Sequence, residues 1–128
     1  MVASGRGRKT RQRDALSEIL ERAESPLSVP ELFEAASKRI EGLGVATVYR
    51  TIGSLLEAGL IETVEIPGEP TRYERSDKGH HHHFQCERCD RVFDIDGCLD
   101  NLRRLLPPKF KLSGHAVTLY GTCAACAR

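Results

Sequence analysis

At 128 residues the chain suits one domain, or two small ones that support each other. Nineteen basic and 18 acidic residues leave a formal charge of +1, which makes no general case for a nucleic-acid partner. No apolar run nears the roughly 20 residues that cross a bilayer, and no signal-peptide core is present, so a cytoplasmic protein without a membrane partner is expected. A reducing compartment turns the five cysteines toward metal or redox chemistry and away from structural disulfides.

Arg6, Arg8, Lys9, Arg11 and Arg13 all precede the first acidic residue, Asp14, and form a basic arm that either touches phosphates or is merely solvated. Leu16, Ile19, Leu20 and Ala23 then fall on one stripe of a first helix. Ser28-Val-Pro-Glu31 has the form of a capping box, with Pro30 in the first turn of a second helix. Val29, Leu32, Phe33 and Ala36 continue that helix.

After the break at Gly42-Leu-Gly44, the spacing of Val45, Val48, Ile52, Leu55 and Leu56 predicts the inward face of a third helix. Thr47, Tyr49, Arg50 and Ser54 are left facing outward, and Gly59 suits a left-handed C-terminal cap. Leu60 to Ile66, the turn Pro67-Gly68-Glu69-Pro70, and Thr71 to Glu74 read as a hairpin. Three short helices and a hairpin make a winged helix-turn-helix, with the third helix placed for a major groove. The reading assigns residues 1–76 to this domain, 77–79 to a hinge and 80–128 to a small α+β domain. In the latter, strand-like segments at His80–Gln85, Arg91–Ile95 and Ala116–Tyr120 surround a short helix near Leu99–Leu106, which Pro107-Pro108 stop.

Cys86-Glu-Arg-Cys89 and Cys123-Ala-Ala-Cys126 stand 33 residues apart. Each pair can aim two sulfurs at one ion from a tight turn, and two pairs supply four thiolates for a closed structural zinc site. Rubredoxin-like iron and a redox pair of disulfides are the alternatives. Such a site contributes folding energy to a half-chain otherwise marginal in size.

The run His80-His81-His82-His83 enters the first cysteine pair directly. Strand side chains alternate between faces, so His80 and His82 point one way while His81 and His83 point the other. Two metal positions follow, one on each side of the strand. Further ligands must come from a short set of candidates: Glu74, Asp94, Cys98 and His115. Singly, each of these also suits a solvated carboxylate, a small buried thiol or an ordinary histidine.

At these residues the chain resembles the ferric uptake regulator family, which includes iron, zinc, manganese and peroxide sensors. The resemblance rests on Gly44-Val-Ala-Thr-Val-Tyr-Arg50, Glu57-Ala-Gly-Leu-Ile61, Tyr73-Glu74, the stretch His80 to Cys89, and His115 through Leu-Tyr-Gly-Thr-Cys123, spanning about Thr10 to Cys126. It implies a homodimeric, metal-dependent repressor of palindromic operator DNA, with no catalytic residues and no small organic substrate. Its C-terminal half would be the dimerisation domain, with structural zinc on Cys86, Cys89, Cys123 and Cys126. The resemblance further implies a regulatory site at the hinge on Glu74, His81, His83 and Asp94. A second would lie within the dimerisation domain on His80, His82, His115 and one residue from the intervening region. Arg13, Thr47, Tyr49 and Arg50 would meet the DNA.

Departures from the family pattern bear on the metal. Ser25-Pro26-Leu27-Ser28 lacks the histidine that many relatives add to the hinge site. His82 stands where iron-type members have aspartate, and the expected glutamate falls near Cys98 or Asp100, with Cys98 preferred. Imidazoles with a thiolate suit zinc better than iron or manganese. A zinc-uptake-regulator-like subgroup is therefore favoured, with iron(II)- or manganese-responsive and peroxide-sensing regulators as alternatives. A zinc-dependent enzyme and a metal buffer are the readings from outside the family.

Overall fold

The structure, a computed structural model, describes residues 4–127, with side chains from residue 7 onward except that of Lys9. The Arg6 and Lys9 side chains of the basic run lie outside the described residues. The chain divides into two compact units, one ending at Gly79 and the other beginning at His80.

In the first unit α1 runs Ser4–Arg22, so the basic run belongs to a helix and is not an extended arm. Hydrophobic periodicity finds only the part of a helix that packs. Leu16 and Leu20 are buried on α1, whereas its first turns carry no apolar stripe to find. Strand β1 (Leu27–Ser28) leads into α2 (Val29–Ser37). The capping box is present: Ser28 N–H donates to Glu31 Oε1 at 2.9 Å, and Glu31 N–H donates to Ser28 Oγ at 3.4 Å. Helix α3 (Val45–Glu57) ends where the Gly59 N–H reaches Leu56 O at 3.0 Å and the Leu60 N–H reaches Leu55 O at 3.0 Å. That double bond is a Schellman cap, and Gly59 supplies the positive φ of 72° it requires.

Helices α1 to α3 close on Leu16, Leu20, Leu32, Val48, Ile52 and Leu55. Val45 departs from expectation: as the first helical residue it lies beyond the packed part of its stripe and is 50% exposed. Strands β2 (Ile61–Val64) and β3 (Arg72–Arg75) form the wing, and β1 adds to β3 in an antiparallel sheet of order β1-β3-β2. Pro67 and Gly68 (φ 81°), with Glu69 N–H on Ile66 O at 2.9 Å, form a type II turn. Arg72 is buried between Glu31 at 3.4 Å and Glu69 at 3.3 Å, which ties the wing to the cap of α2. A 3-10 turn, Ser76–Lys78, follows β3 and packs on this unit, with Ser76 N–H on Leu60 O at 3.1 Å.

The second unit is one three-stranded sheet of order β5-β4-β6: β4 (His82–Cys86), β5 (Val92–Ile95) and β6 (Thr118–Gly121). Pairing is antiparallel between β4 and β5 and parallel between β4 and β6. The α-helix expected near Leu99–Leu106 is instead a single 3-10 turn, Leu102–Leu105. Asn101 in the left-handed region (φ 65°) precedes it and the extended Leu106 follows, so the segment is too short for α-helical bonding. Val92, Cys86 and Cys123 are the buried apolar residues of the described part of this unit. A core this small is of the kind that a metal ion or a partner subunit supports. The two units together make an α+β protein: a winged helix-turn-helix followed by a β-rich domain that carries a cysteine cluster.

Candidate metal centres and DNA-facing surface

The parallel register of β4 on β6 sets Cys86 opposite Gly121, so the two cysteine turns that follow these strands arrive side by side. The first turn is closed by Asp90 N–H on Cys86 O at 2.9 Å, with Asp90 at a φ of 61°. The second is closed by Cys126 N–H on Cys123 O at 3.0 Å. All four sulfurs lie within 4.8 Å of one another, with Cys89 and Cys123 at 3.8 Å. Tetrahedral zinc with sulfurs at about 2.3 Å requires sulfur separations of about 3.8 Å. The donor set fits the ion.

Electrostatics lead to the same place. The Cys123 and Cys89 N–H groups, at 3.3 and 3.5 Å from its sulfur, pull the Cys86 thiol down to about 6. At Cys126 the neighbouring Cys123 thiol, followed by burial, pushes the group up to about 12. The Arg91 N–H lowers Cys89, but burial and the Cys86 and Cys123 thiols outweigh it and leave the group raised. One thiolate forms readily in this cluster. Four together need a cation among them.

His80 and His81 precede β4, yet the alternation expected of a strand holds through all four histidines. On one face, His81 Nε2 and His83 Nε2 lie 3.5 and 3.4 Å from the same Asp94 Oδ1. Asp94 is there because β5 pairs it directly with His83. Two imidazoles and a carboxylate oxygen are thus held together, half-buried. Glu74 sits in the other unit, on β3, where it is buried and pairs with Lys78 at 3.6 Å.

On the opposite face His80, His82, Cys98 and His115 gather with all four ligand atoms within 4.8 Å. Cys98 Sγ lies 3.0 Å from His115 Nε2, 3.3 Å from His80 Nε2 and 3.4 Å from His82 Nε2. Gly97, at a φ of 94°, turns the chain after β5 so that Cys98 comes back toward His82. Asp100 is absent from this cluster. Burial first, then the imidazoles of His80 and His115, hold the His82 ring below the usual histidine range and so favour its neutral form. The His82 Nδ1 accepts the Val117 N–H at 3.2 Å. A neutral ring in that position carries its proton on Nε2, so ligation through Nε2 requires giving up the Val117 bond.

In the first unit Tyr49 is 58% exposed on α3 and Arg50 donates to Thr47 Oγ1 at 3.2 Å. Arg8 and Arg13 of α1 line one cleft, of about 430 Å³, with Thr47, Arg50 and Ser54 of α3. Arg8 was only one charge among five in the sequence; the helical form of its segment sets it beside α3. Reading the sequence also missed Lys78 and Arg72, for nothing in local pattern marks a charged residue that will be buried. Among the described residues no helix is long and apolar enough to cross a membrane.

The sequence pattern of the "Ferric uptake regulator family" matches residues 5–120. A "Ferric uptake regulation protein" of Campylobacter jejuni is 32% identical over 123 residues, covering 91% of this chain and 78% of that one. A "Zinc uptake regulation protein" of Mycobacterium tuberculosis is 33% identical over 122 residues, covering 93% and 94%. The crystal structure of the Vibrio cholerae ferric uptake regulator superposes with a TM-score of 0.69 at 27% identity, covering 88% of each chain.

Proposed function

Because the chain belongs to the ferric uptake regulator family, a family of non-enzymatic DNA-binding regulators, we propose that it is a zinc-favouring repressor that binds palindromic operator DNA as a homodimer. The observation that carries the reading is the pair of donor sets on opposite faces of one histidine strand, in a chain whose other unit is a winged helix. The cysteine cluster takes the structural zinc. Asp94, His81 and His83 offer three donors of a regulatory site, and Glu74 is the fourth, by the family resemblance. His80, His82, Cys98 and His115 form the second regulatory site, with His82 exchanging its Val117 bond for the ion.

Three imidazoles and a thiolate make a soft, tetrahedral-leaning set, which supports zinc. The zinc uptake regulator among the relatives supports the same subgroup. A second reading has its own support: two imidazoles with carboxylates form a harder set that suits iron(II) or manganese at the hinge. In either case the ion acts only by its preference for the DNA-binding arrangement over the others. Tyr49 reads bases in the major groove, Thr47 and Arg50 flank it, and Arg13 adds phosphate contact.

Tyr49→Ala is therefore expected to weaken binding to a selected palindromic duplex by roughly 10- to 100-fold, the range of a lost base contact. Metal content, measured by elemental analysis, should not change. Equal DNA affinity of variant and parent would remove Tyr49 from the interface.

A further inference from the structure

We propose that Lys78 sets the metal threshold of the hinge by serving Glu74 as an internal cation when no metal ion is bound. The inference rests on the reading of Glu74 as a hinge ligand. The 3-10 turn Ser76–Lys78 follows β3 immediately and brings the Lys78 ammonium to 3.6 Å from Glu74 Oε2. The pair is shielded, with side chains 11% and 2% exposed. The ion pairs Arg22–Glu18 and Arg75–Asp77 of the same unit lie in solvent, where they are screened and weak. Glu62, the cross-strand partner of Glu74 on β2, adds a like charge and raises the need for a nearby cation.

A divalent ion that takes Glu74 meets this ammonium in one of two ways. It displaces Lys78 from the carboxylate, or it binds with a positive charge a few ångströms away. Both oppose metal binding. Lys78 also favours the metal-free protein, since it places a cation 3.6 Å from a buried carboxylate. Lysine suits a counter-ion that must leave: its ammonium is strongly hydrated and its four-carbon stem can swing it to solvent. An arginine would remain by virtue of its planar fork.

The test is zinc(II) affinity at fixed pH, measured by competition with a chromophoric chelator. It uses full-length protein carrying Cys98→Ala and His115→Ala, with the four-cysteine site already filled, so that only the hinge titrates. Lys78→Met is expected to tighten hinge binding about tenfold or more. Lys78→Arg, which keeps the charge, should bind no more tightly than the parent. In a Glu74→Gln background the effect of Lys78→Met should shrink to what charge repulsion alone leaves, and an effect as large as in the parent would mean that Lys78 does not act through Glu74. If Glu74→Gln weakens binding but Lys78→Met fails to tighten it, Lys78 is not the tuning residue and the hinge assignment stands. If Glu74→Gln leaves binding unchanged, the hinge assignment falls, and the role of Lys78 with it. Far-UV circular dichroism of each variant separates these outcomes from loss of fold.

Discussion

Removing zinc from the four cysteines, by chelation or by Cys86→Ser, is expected to unfold the sheet β4–β6 while the winged helix keeps its structure. The two units differ sharply in what else supports them. Among the described residues the first closes on a cluster of ten buried apolar residues from Leu16 to Ile61, whereas the buried apolar residues of the second are Val92, Cys86 and Cys123. A structural zinc of this kind contributes about 10–16 kcal/mol, comparable to the whole stability of an ordinary small domain. Cys86 is the most damaging site to change, because its sulfur also accepts the N–H groups of Cys89 and Cys123 and so joins both turns. Hydrogen exchange reads the result directly. Protection at Phe84, Gln85 and Leu119 should collapse while that at Leu20 and Ile52 persists; unchanged protection at β4 would mean that the zinc is not the staple of this unit.

The second large effect is expected from His81→Ala. His81 and His83 share one oxygen of Asp94, so removing either imidazole breaks a three-donor set and not a redundant shell. Loss of an outer-shell partner alone costs a metal site about 10- to 100-fold, and an inner ligand costs more. The metal concentration needed for DNA binding should therefore rise by about 100-fold or more, and in practice the response should disappear. One zinc per chain should remain, held by the cysteines. If that ion is lost as well, the ligands have been divided wrongly between the sites. If the response survives, the face bearing His80 and His82 is the controlling one.

Features of this protein that depend on neighbouring residues were legible in the sequence. The capping box of Ser28 and Glu31, the Gly59 cap and the Pro67-Gly68 turn are local chemistry, and each is present with its hydrogen bonds. The division of the four histidines between two faces also follows from local geometry, since period-two alternation needs no knowledge of the rest of the fold. Cys98 could be preferred over Asp100 because the Asp96-Gly97 turn lies just before it, and Gly97 does carry the positive φ of such a turn.

Features set by distant packing were not legible. The length of α1 escaped because a solvated helical turn leaves no apolar signal. The parallel pairing of β4 with β6, which aligns the cysteine turns, joins segments more than 30 residues apart. The helix expected near Leu99–Leu106, ahead of Pro107-Pro108, is not formed: Asn101 breaks the segment and Leu99 and Leu105 are exposed. Arg72 and Lys78 read as surface charges because sequence says nothing about which carboxylate will be buried beside them. The Val117 bond to His82 is of the same kind: the residue type was evident and its second partner was not.

On the function proposed above, DNA binding depends on a sensed metal, and this metal is zinc. The most direct test uses a palindromic duplex selected from a random pool by the zinc-loaded protein. Binding of that duplex is followed by fluorescence anisotropy in buffers that fix free zinc, iron(II), manganese or nickel, with the cysteine site filled throughout. No specific binding is expected before regulatory metal is added, and half-saturation is expected at the lowest free concentration with zinc. Specific binding of equal strength at every metal level, including none, would contradict it.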